Sequence, residues 1–196
     1  MFKEFRSRFD LDGHARSGAG LWRDQLLLSA HGYEVFAEEF AGSSFSGGLY
    51  RVHDSASGPR AASSIVEMFP DFKGRVSPFA YDWLGRQFCL DFGRLDMNEP
   101  LSMLFEPGTG QALEIPATFV DFHNEEIVDY SDAALALPFF EKWSSANPEE
   151  LPLNVDECVA YKVPLFLGGR DEIENLEIMD MDIYWSINAQ IVRGVS

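Results

Sequence analysis

Several residue patterns that mark metal sites and redox centres are missing from this sequence. It has two cysteines, Cys89 and Cys158, and no Cys-x-x-Cys pair, which favours buried free thiols over a disulfide framework. No histidine lies three to five residues from another, so no zinc-binding spacing exists. We expect each histidine to be a surface or hydrogen-bonded side chain: His14, His31, His53 and His123.

Catalytic and nucleotide-binding motifs are also absent. The pairs Gly47-Gly48 and Gly168-Gly169 lack the further residues of a dinucleotide or phosphate loop, and no Gly-x-Ser-x-Gly occurs. The carboxylates from Asp171 to Asp182 do not form a calcium loop, because the sixth position is Leu176 and not glycine. A Ser-His-Asp catalytic site is still compatible with the sequence. We expect no catalytic residue, no metal and no cofactor.

Basic residues are scarce in the later half of the chain. Residues 1–98 hold 11 basic and 13 acidic side chains, whereas residues 99–196 hold 4 and 19, so the later half carries −15 of the net charge of −17. Such a surface repels nucleic acid and anionic membranes and attracts basic partners. We therefore expect neither nucleic acid nor membrane as a partner, although acidity can also serve solubility alone.

Long apolar runs are missing, but apolar residues are plentiful. No stretch of about 18 apolar residues suggests a membrane span, and Met1–Arg6 does not resemble a secretory signal, so a cytoplasmic location is expected. Hydrophobic residues make up 46% of the 196 residues and aromatic ones 14%. This composition predicts one packed domain over residues 1–196. Core packing is the expected role of five aromatic residues: Tyr81, Trp83, Phe88, Tyr184 and Trp185.

Helical spacing recurs along the chain. Phe2, Phe5 and Phe9 predict an amphipathic opening helix. Further helices are predicted over 22–28, 33–40, 61–69 and 119–129, and another after Ser131 as its cap, with a break near Pro138. The last helix is predicted to begin near Asp182, and its apolar positions share one face: Ile183, Ile187 and Ile191.

Strands are predicted mainly as hairpins. One pairs residues 79–83 with 86–91 around Leu84-Gly85, and another pairs 101–105 with 111–115 around a turn at residues 107–110. Single strands are predicted over 49–53, 163–167 and 175–179, and residues 54–60 are interpreted as a loop. Hairpins without regular βαβ alternation indicate an α+β fold with a mostly antiparallel central sheet flanked by helices.

Four segments resemble successive blocks of a known family: GGLYRVHD (Gly47–Asp54), FAYDWLGRQFCLD (Phe79–Asp91), FEPGTGQALEIP (Phe105–Pro116) and ECVAYKVPLFLGGRDEIENLEIMDMDIYW (Glu157–Trp185). Together they are similar to bacterial proteins with the C-terminal domain of Tdi-type immunity proteins of type VI secretion, related to the SUKH (Smi/Knr-like) superfamily. The likeness spans about residues 33–192, and residues 1–30 would be a variable N-terminal helical extension.

This resemblance implies a SUKH-like α+β fold, no enzymatic activity, and binding of a cognate toxin, often one that cuts DNA. The charge distribution suggests a basic toxin that meets an acidic surface. The oligomeric state is left undetermined by the sequence. The predicted contacts are charged residues in loops and at helix ends: Glu125, Glu126, Asp129, Asp132, Glu149, Glu150, Asp171, Glu172 and Glu174.

Two other functions are compatible with the sequence. A non-enzymatic regulatory or scaffold protein of the same superfamily would share the fold without a toxin. A metal-dependent hydrolase would gather several of the clustered carboxylates around a divalent ion.

Overall fold

A six-stranded antiparallel sheet organises the chain, and each strand pairs with the next one in sequence. The computed structural model describes residues 1–12 and 20–195, so the prediction for His14 lies outside the described residues. The strands are β1 (Ser44–Phe45), β2 (Tyr50–Val52), β3 (Val76–Asp82), β4 (Gln87–Asp96), β5 (Glu99–Glu106) and β6 (Gln111–Thr118). The predicted α+β fold with an antiparallel sheet is confirmed.

Both predicted hairpins are present. In the turn between β3 and β4, the Asp82 carboxylate accepts hydrogen bonds from the backbone N–H groups of Leu84 and Arg86, each at 3.0 Å. Gly85 completes this turn with a φ of 75°, which a residue with a Cβ rarely adopts. The turn between β5 and β6 likewise places Gly110 at a positive φ.

Helices cover both faces of the sheet, because its strands alternate apolar side chains between two hydrophobic clusters. Phe88 and Leu90 belong to the first cluster and Cys89 to the second. The helices of the first cluster are α1 (Lys3–Arg8), α2 (Gln25–Ser29), α3 (Tyr33–Phe40), α5 (Phe119–Asp121), a π-helical turn (Phe122–Glu126), α6 (Ile127–Asp129), α7 (Ser131–Ala134) and α8 (Leu137–Ala146). Those of the second are α4 (Ser57–Met68) and α9 (Met181–Val195).

The N-terminal phenylalanines pack against a buried histidine. Phe5 is fully buried, and its ring lies edge-on to Phe36 and to His123, with centroids 5.2 and 5.5 Å away. His123 Nδ1 donates to the Phe119 carbonyl at 2.8 Å, so its Nε2 accepts the Tyr50 hydroxyl, also at 2.8 Å. Burial lowers the pKa of His123 to about 3, which keeps the ring neutral.

A second, two-stranded ribbon pairs β7 (Glu157–Tyr161) with β8 (Leu176–Asp180). The Val159 backbone N–H donates to the Trp83 carbonyl at 2.7 Å and so joins the ribbon to the β3–β4 turn. The predicted strand at 175–179 is confirmed, but the one at 163–167 is wrong. That stretch contains Pro164, which has no N–H to donate to a neighbouring strand, and it ends in a 3-10 turn at Leu165–Leu167.

Three other predictions are corrected. The predicted loop at 54–60 already contains the start of α4, because Asp54 Oδ1 caps it by accepting the N–H groups of Ala56 and Ser57. Ser131 lies inside α7 and makes no cap contact, and Asp180, rather than Asp182, accepts the Ile183 N–H in α9.

The apolar face predicted for the last helix is also wrong. Ile183 is 54% exposed and Ile187 is 43% exposed, whereas Tyr184, Trp185 and Ala189 are buried against α4 and the sheet. The aromatic ring of Trp185 offers more surface to bury than an isoleucine side chain, so it decides which side of the helix faces inward. The predicted core roles of the five aromatic residues are confirmed, since all five are buried.

Candidate partner-binding surface

The nine predicted contact residues are at the surface, and they form three groups. Eight are exposed and Glu126 is partly buried, which raises its pKa. Among the described residues, Glu172 alone of the nine makes an ion pair, with Arg170 at 3.7 Å. Both of these side chains are more than half exposed, so solvent weakens that attraction strongly. The remaining carboxylates therefore contribute nearly their full negative charge to the surface.

The first group follows the helical stretch after β6. Glu125 and Glu126 lie in the π-helical turn, Asp129 ends α6, and Asp132 lies in α7. Ile127, from the same stretch, is fully buried in the first hydrophobic cluster. This burial fixes the backbone that carries the four carboxylates.

The second group lies on a 3-10 turn at Pro148–Glu150, which contains Glu149 and Glu150. Glu150 lines an open hollow of about 290 Å³ together with Glu157 and Glu177 of the β7–β8 ribbon. Three carboxylates therefore face one concavity.

The third group lies in the loop between β7 and β8, which we call the ribbon loop (residues 162–175). It contains Asp171, Glu172 and Glu174. Asn175 braces this loop, because its side-chain amide donates to the carbonyls of Val163 and Arg170 at 2.9 and 2.8 Å, and its Oδ1 accepts the Val163 N–H at 3.0 Å. The loop is thus held in one shape before any partner binds.

Beside the ribbon loop lies a cleft of about 200 Å³, which we call the Asp171 cleft. Sequence reasoning missed it, because its walls come from five separate parts of the chain. Those parts are the β3–β4 turn, the β5–β6 turn, the start of α8, the ribbon with its loop, and α9. The residues that line the cleft are Leu84, Arg86, Glu106, Gly108, Thr109, Ala136, Phe139, Tyr161, Leu165, Asp171 and Tyr184.

A buried arginine forms the back wall of this cleft. Arg86 donates to Asp82 at 2.6 Å, to Glu106 at 2.9 Å and to the Ala134 carbonyl at 2.9 Å. Burial on its own would lower the pKa of Arg86, but the two carboxylates outweigh it and raise the pKa above its usual value. Arg86 is therefore a fixed cation whose charge is already matched within the protein.

A Ser-His-Asp grouping does occur, at Asp54, Ser57 and His53, and all three side chains are buried. His53 Nε2 donates to Gln87 at 2.7 Å, and its Nδ1 lies 3.0 Å from the Ser57 hydroxyl oxygen. That hydroxyl donates to Asp54 Oδ1 at 3.0 Å, whereas in a hydrolytic triad the serine hydroxyl donates to the histidine and the aspartate accepts from the other ring nitrogen. The cavity beside these three residues has a volume of about 20 Å³, which holds about one water molecule. Their hydrogen bonds instead form the first turn of α4.

The other side chains that could carry chemistry are possible metal ligands, the two cysteines and the histidines. Within residues 1–12 and 20–195, no three His, Cys, Asp or Glu side chains are grouped so that they could hold a metal ion. Cys89 and Cys158 are free and buried, and burial raises the pKa of both thiols. His31 is exposed, whereas His53 and His123 are buried and hydrogen-bonded, as predicted for these three.

In the part of the chain that the structure describes, no helix is long and apolar enough to cross a bilayer.

Comparison with known proteins gives one family. Residues 118–192 match the family model of the T6SS immunity protein Tdi1, C-terminal. The matched segment is less than half of the chain, and it contains the block Glu157–Trp185 that carries the sequence resemblance. The three earlier blocks end before residue 118 and lie outside the match. The resemblance was predicted to begin near residue 33, and the family model matches it only from residue 118. Residues 118–192 are thus similar to this family, and the SUKH relationship stays a prediction.

A solved structure shares the fold over nearly the whole chain. The crystal structure of Atu4351 from Agrobacterium tumefaciens superposes with a TM-score of 0.65, covering 97% of this chain and 89% of that one at 13% identity. No curated protein matches the chain significantly. At this identity the likeness establishes the fold alone. The segment that matches the Tdi1 family model, residues 118–192, contains all nine predicted contact residues and six of the eleven residues that line the Asp171 cleft.

Proposed function

We propose that this chain is an immunity protein of type VI secretion, which binds a cognate toxin in the cytoplasm of the producing cell and neutralises it. The observation that carries the proposal is that the Tdi1-like segment and the negative charge coincide. Residues 118–192 contain 16 acidic and 3 basic side chains. Binding, and not catalysis, is the function that such a segment serves best.

We further propose that the toxin is a nuclease. A nuclease needs a basic surface to hold the phosphates of its substrate, and carboxylates on a rigid support can occupy that surface as phosphate mimics. The three groups of carboxylates offer such a support: Glu125, Glu126, Asp129 and Asp132, then Glu149 and Glu150, then Asp171, Glu172 and Glu174. The predicted contacts are therefore retained as the proposed interface.

An interface of standard size would be enough for tight binding. Specific complexes bury about 1,600 Å² in total, with the strongest contacts near the centre and charged groups around them. Exposed apolar side chains lie beside the third carboxylate group, with Val163 at 47% and Leu167 at 48% exposure. The ribbon loop thus combines apolar contact area with a charged rim.

The first test is rescue of cells that express the toxin encoded beside this chain in its native genome. Co-expression of the wild-type chain should restore growth, and the two proteins should co-purify. A chain that neither rescues growth nor captures the toxin would contradict the immunity function and favour the regulatory or scaffold alternative.

The second test addresses the surface. A quadruple variant, Glu125→Lys, Asp129→Lys, Glu149→Lys and Glu172→Lys, should lower toxin affinity at least a hundredfold, because it replaces attraction by repulsion. Its matched control reverses four exposed carboxylates of the N-terminal half: Glu4, Glu38, Asp71 and Asp96. Both variants change the net charge equally, so equal losses would contradict a localised interface.

A further inference from the structure

We infer that the Asp171 cleft receives an arginine side chain of the toxin. The inference rests on the proposed function and deepens it by naming the group that enters one site. Three features of the cleft favour this group: its volume, its charges and its ring-lined walls.

The cleft has room for a group much larger than a water molecule. About 200 Å³ is more than ten times the roughly 10–15 Å³ in which one water fits. Its walls are mixed: Phe139 and Leu165 are apolar, whereas Thr109, Asp171 and Tyr184 present polar atoms. A group that enters must therefore have an apolar stem and a polar end.

The charges of the cleft favour a cation. Asp82 is buried directly behind Arg86 and neutralises it, and Glu106 adds a second carboxylate on the other side of the guanidinium. Asp171 is exposed at the mouth, and the Tyr161 hydroxyl donates to only one of its oxygens, at 2.6 Å. Glu106 and Asp171 both line the cleft, and the lining arginine, Arg86, is already paired with Asp82 behind it, which leaves an excess of negative charge at the cavity.

The aromatic walls favour arginine over lysine. The Phe139 ring is held in place by Trp83, with the centroids 5.5 Å apart and the planes at 68°. A planar guanidinium can lie against such a ring and at the same time donate two hydrogen bonds to a carboxylate. A lysine ammonium is a point charge and cannot satisfy both contacts in this way.

The cleft is held open before binding. The Leu165 N–H donates to the Gly108 carbonyl at 2.8 Å, which ties the ribbon loop to the β5–β6 turn. Gly108 packs directly against the ribbon, since a Cβ at this position would come within 2.6 Å of the Tyr161 ring and 2.9 Å of the Tyr184 hydroxyl. Preorganised walls lose little entropy when a side chain enters, which strengthens binding.

The decisive comparison uses two single Asp→Asn variants. Asp171→Asn and Asp96→Asn each remove one exposed negative charge, but only Asp171 lines the cleft, and Asp96 lies outside the proposed interface. With the wild-type toxin, we expect Asp171→Asn to weaken affinity at least tenfold and Asp96→Asn less than threefold, measured by calorimetry. Equal losses would overturn the inference while leaving the immunity function intact.

A toxin-independent probe separates the two proposals. N-acetyl-arginine methylamide should shift the amide NMR signals of Thr109 and Leu165, and the neutral N-acetyl-citrulline methylamide should not. The shifts should be lost in Asp171→Asn and retained in Asp96→Asn. If arginine and citrulline derivatives act alike, the cleft does not recognise a guanidinium, whatever the toxin experiment shows.

Discussion

The Trp185 indole N–H donates to the Gly85 carbonyl at 2.8 Å, although the two residues are 100 positions apart. This bond fastens α9 to the turn between β3 and β4, and both partners are buried. It links the Tdi1-like segment to the part of the sheet that precedes it in sequence. Its removal should therefore affect the stability of the whole fold.

Trp185→Phe keeps most of the ring but leaves the Gly85 carbonyl without its donor. A buried unsatisfied polar group costs about 1–3 kcal/mol, so the free energy of unfolding should fall by about that amount. Urea denaturation measures it. Trp143→Phe is the control, because no indole hydrogen bond of Trp143 occurs among the described residues, and it should cost less. Equal costs would show that ring volume, and not the bond, matters.

Arg51 should be a second point of fragility. It is fully buried, and its guanidinium donates to three backbone carbonyls, those of Asp82, Asn154 and Glu157, at 2.6–2.8 Å. Arg51→Met fills similar space but leaves the carbonyls unpaired, so unfolding free energy should drop by about 3 kcal/mol or more. A drop below about 1 kcal/mol in urea denaturation would contradict this role.

Acidification should destabilise the protein through its buried histidines. Burial lowers the pKa of His53 to about 4 and that of His123 to about 3, against about 6.5 in the unfolded chain. Below pH 6.5 the unfolded state binds protons that the native state does not. Unfolding free energy should therefore fall with a slope approaching about 1.4 kcal/mol per pH unit for each histidine, down to the native pKa.

The contribution of His53 can be isolated by a variant. His53→Gln removes one titrating group, so its unfolding free energy should depend less steeply on pH between 4 and 6.5 than that of the wild type. The carboxylates that also titrate there are common to both proteins and cancel in the difference. Identical slopes would mean that His53 is already protonated in the native state.

Toxin association should be sensitive to salt. Attraction between exposed charges is screened within about 10 Å at 0.1 M salt, so the association rate should fall at least tenfold between 50 mM and 500 mM sodium chloride. Stopped-flow fluorescence measures this rate. The quadruple variant of the carboxylate groups should show a much flatter dependence. A salt-independent rate in the wild type would contradict electrostatic capture.

Local sequence signals predicted much of the fold. The short aromatic runs around Leu84-Gly85, and the alternating residues 101–105 before the Pro-Gly turn at residues 107–110, predict both long hairpins, because strand period and turn chemistry are properties of neighbouring residues. The α9 face was mispredicted, since three isoleucines at helical spacing compete with Trp185 and only the packed structure decides which side is buried.

The candidate site was less predictable than the fold. Exposure of Asp171 or Glu149 follows from their charge alone, but their neighbours in space do not. The Asp171 cleft brings together Leu84, Thr109, Phe139 and Tyr184, which lie in separate elements, and no spacing in a sequence encodes such a meeting. Phe139 packs against Trp83 and also forms a wall of the cleft.

The helices contributed by residues 118–192 lie on opposite faces of the sheet, with α5–α8 on one and α9 on the other. Nothing in that segment could replace the six strands between them. Excised and expressed alone, it would present two apolar surfaces to water and should aggregate. Any shortened derivative of this chain must therefore retain the strands as well as the acidic residues.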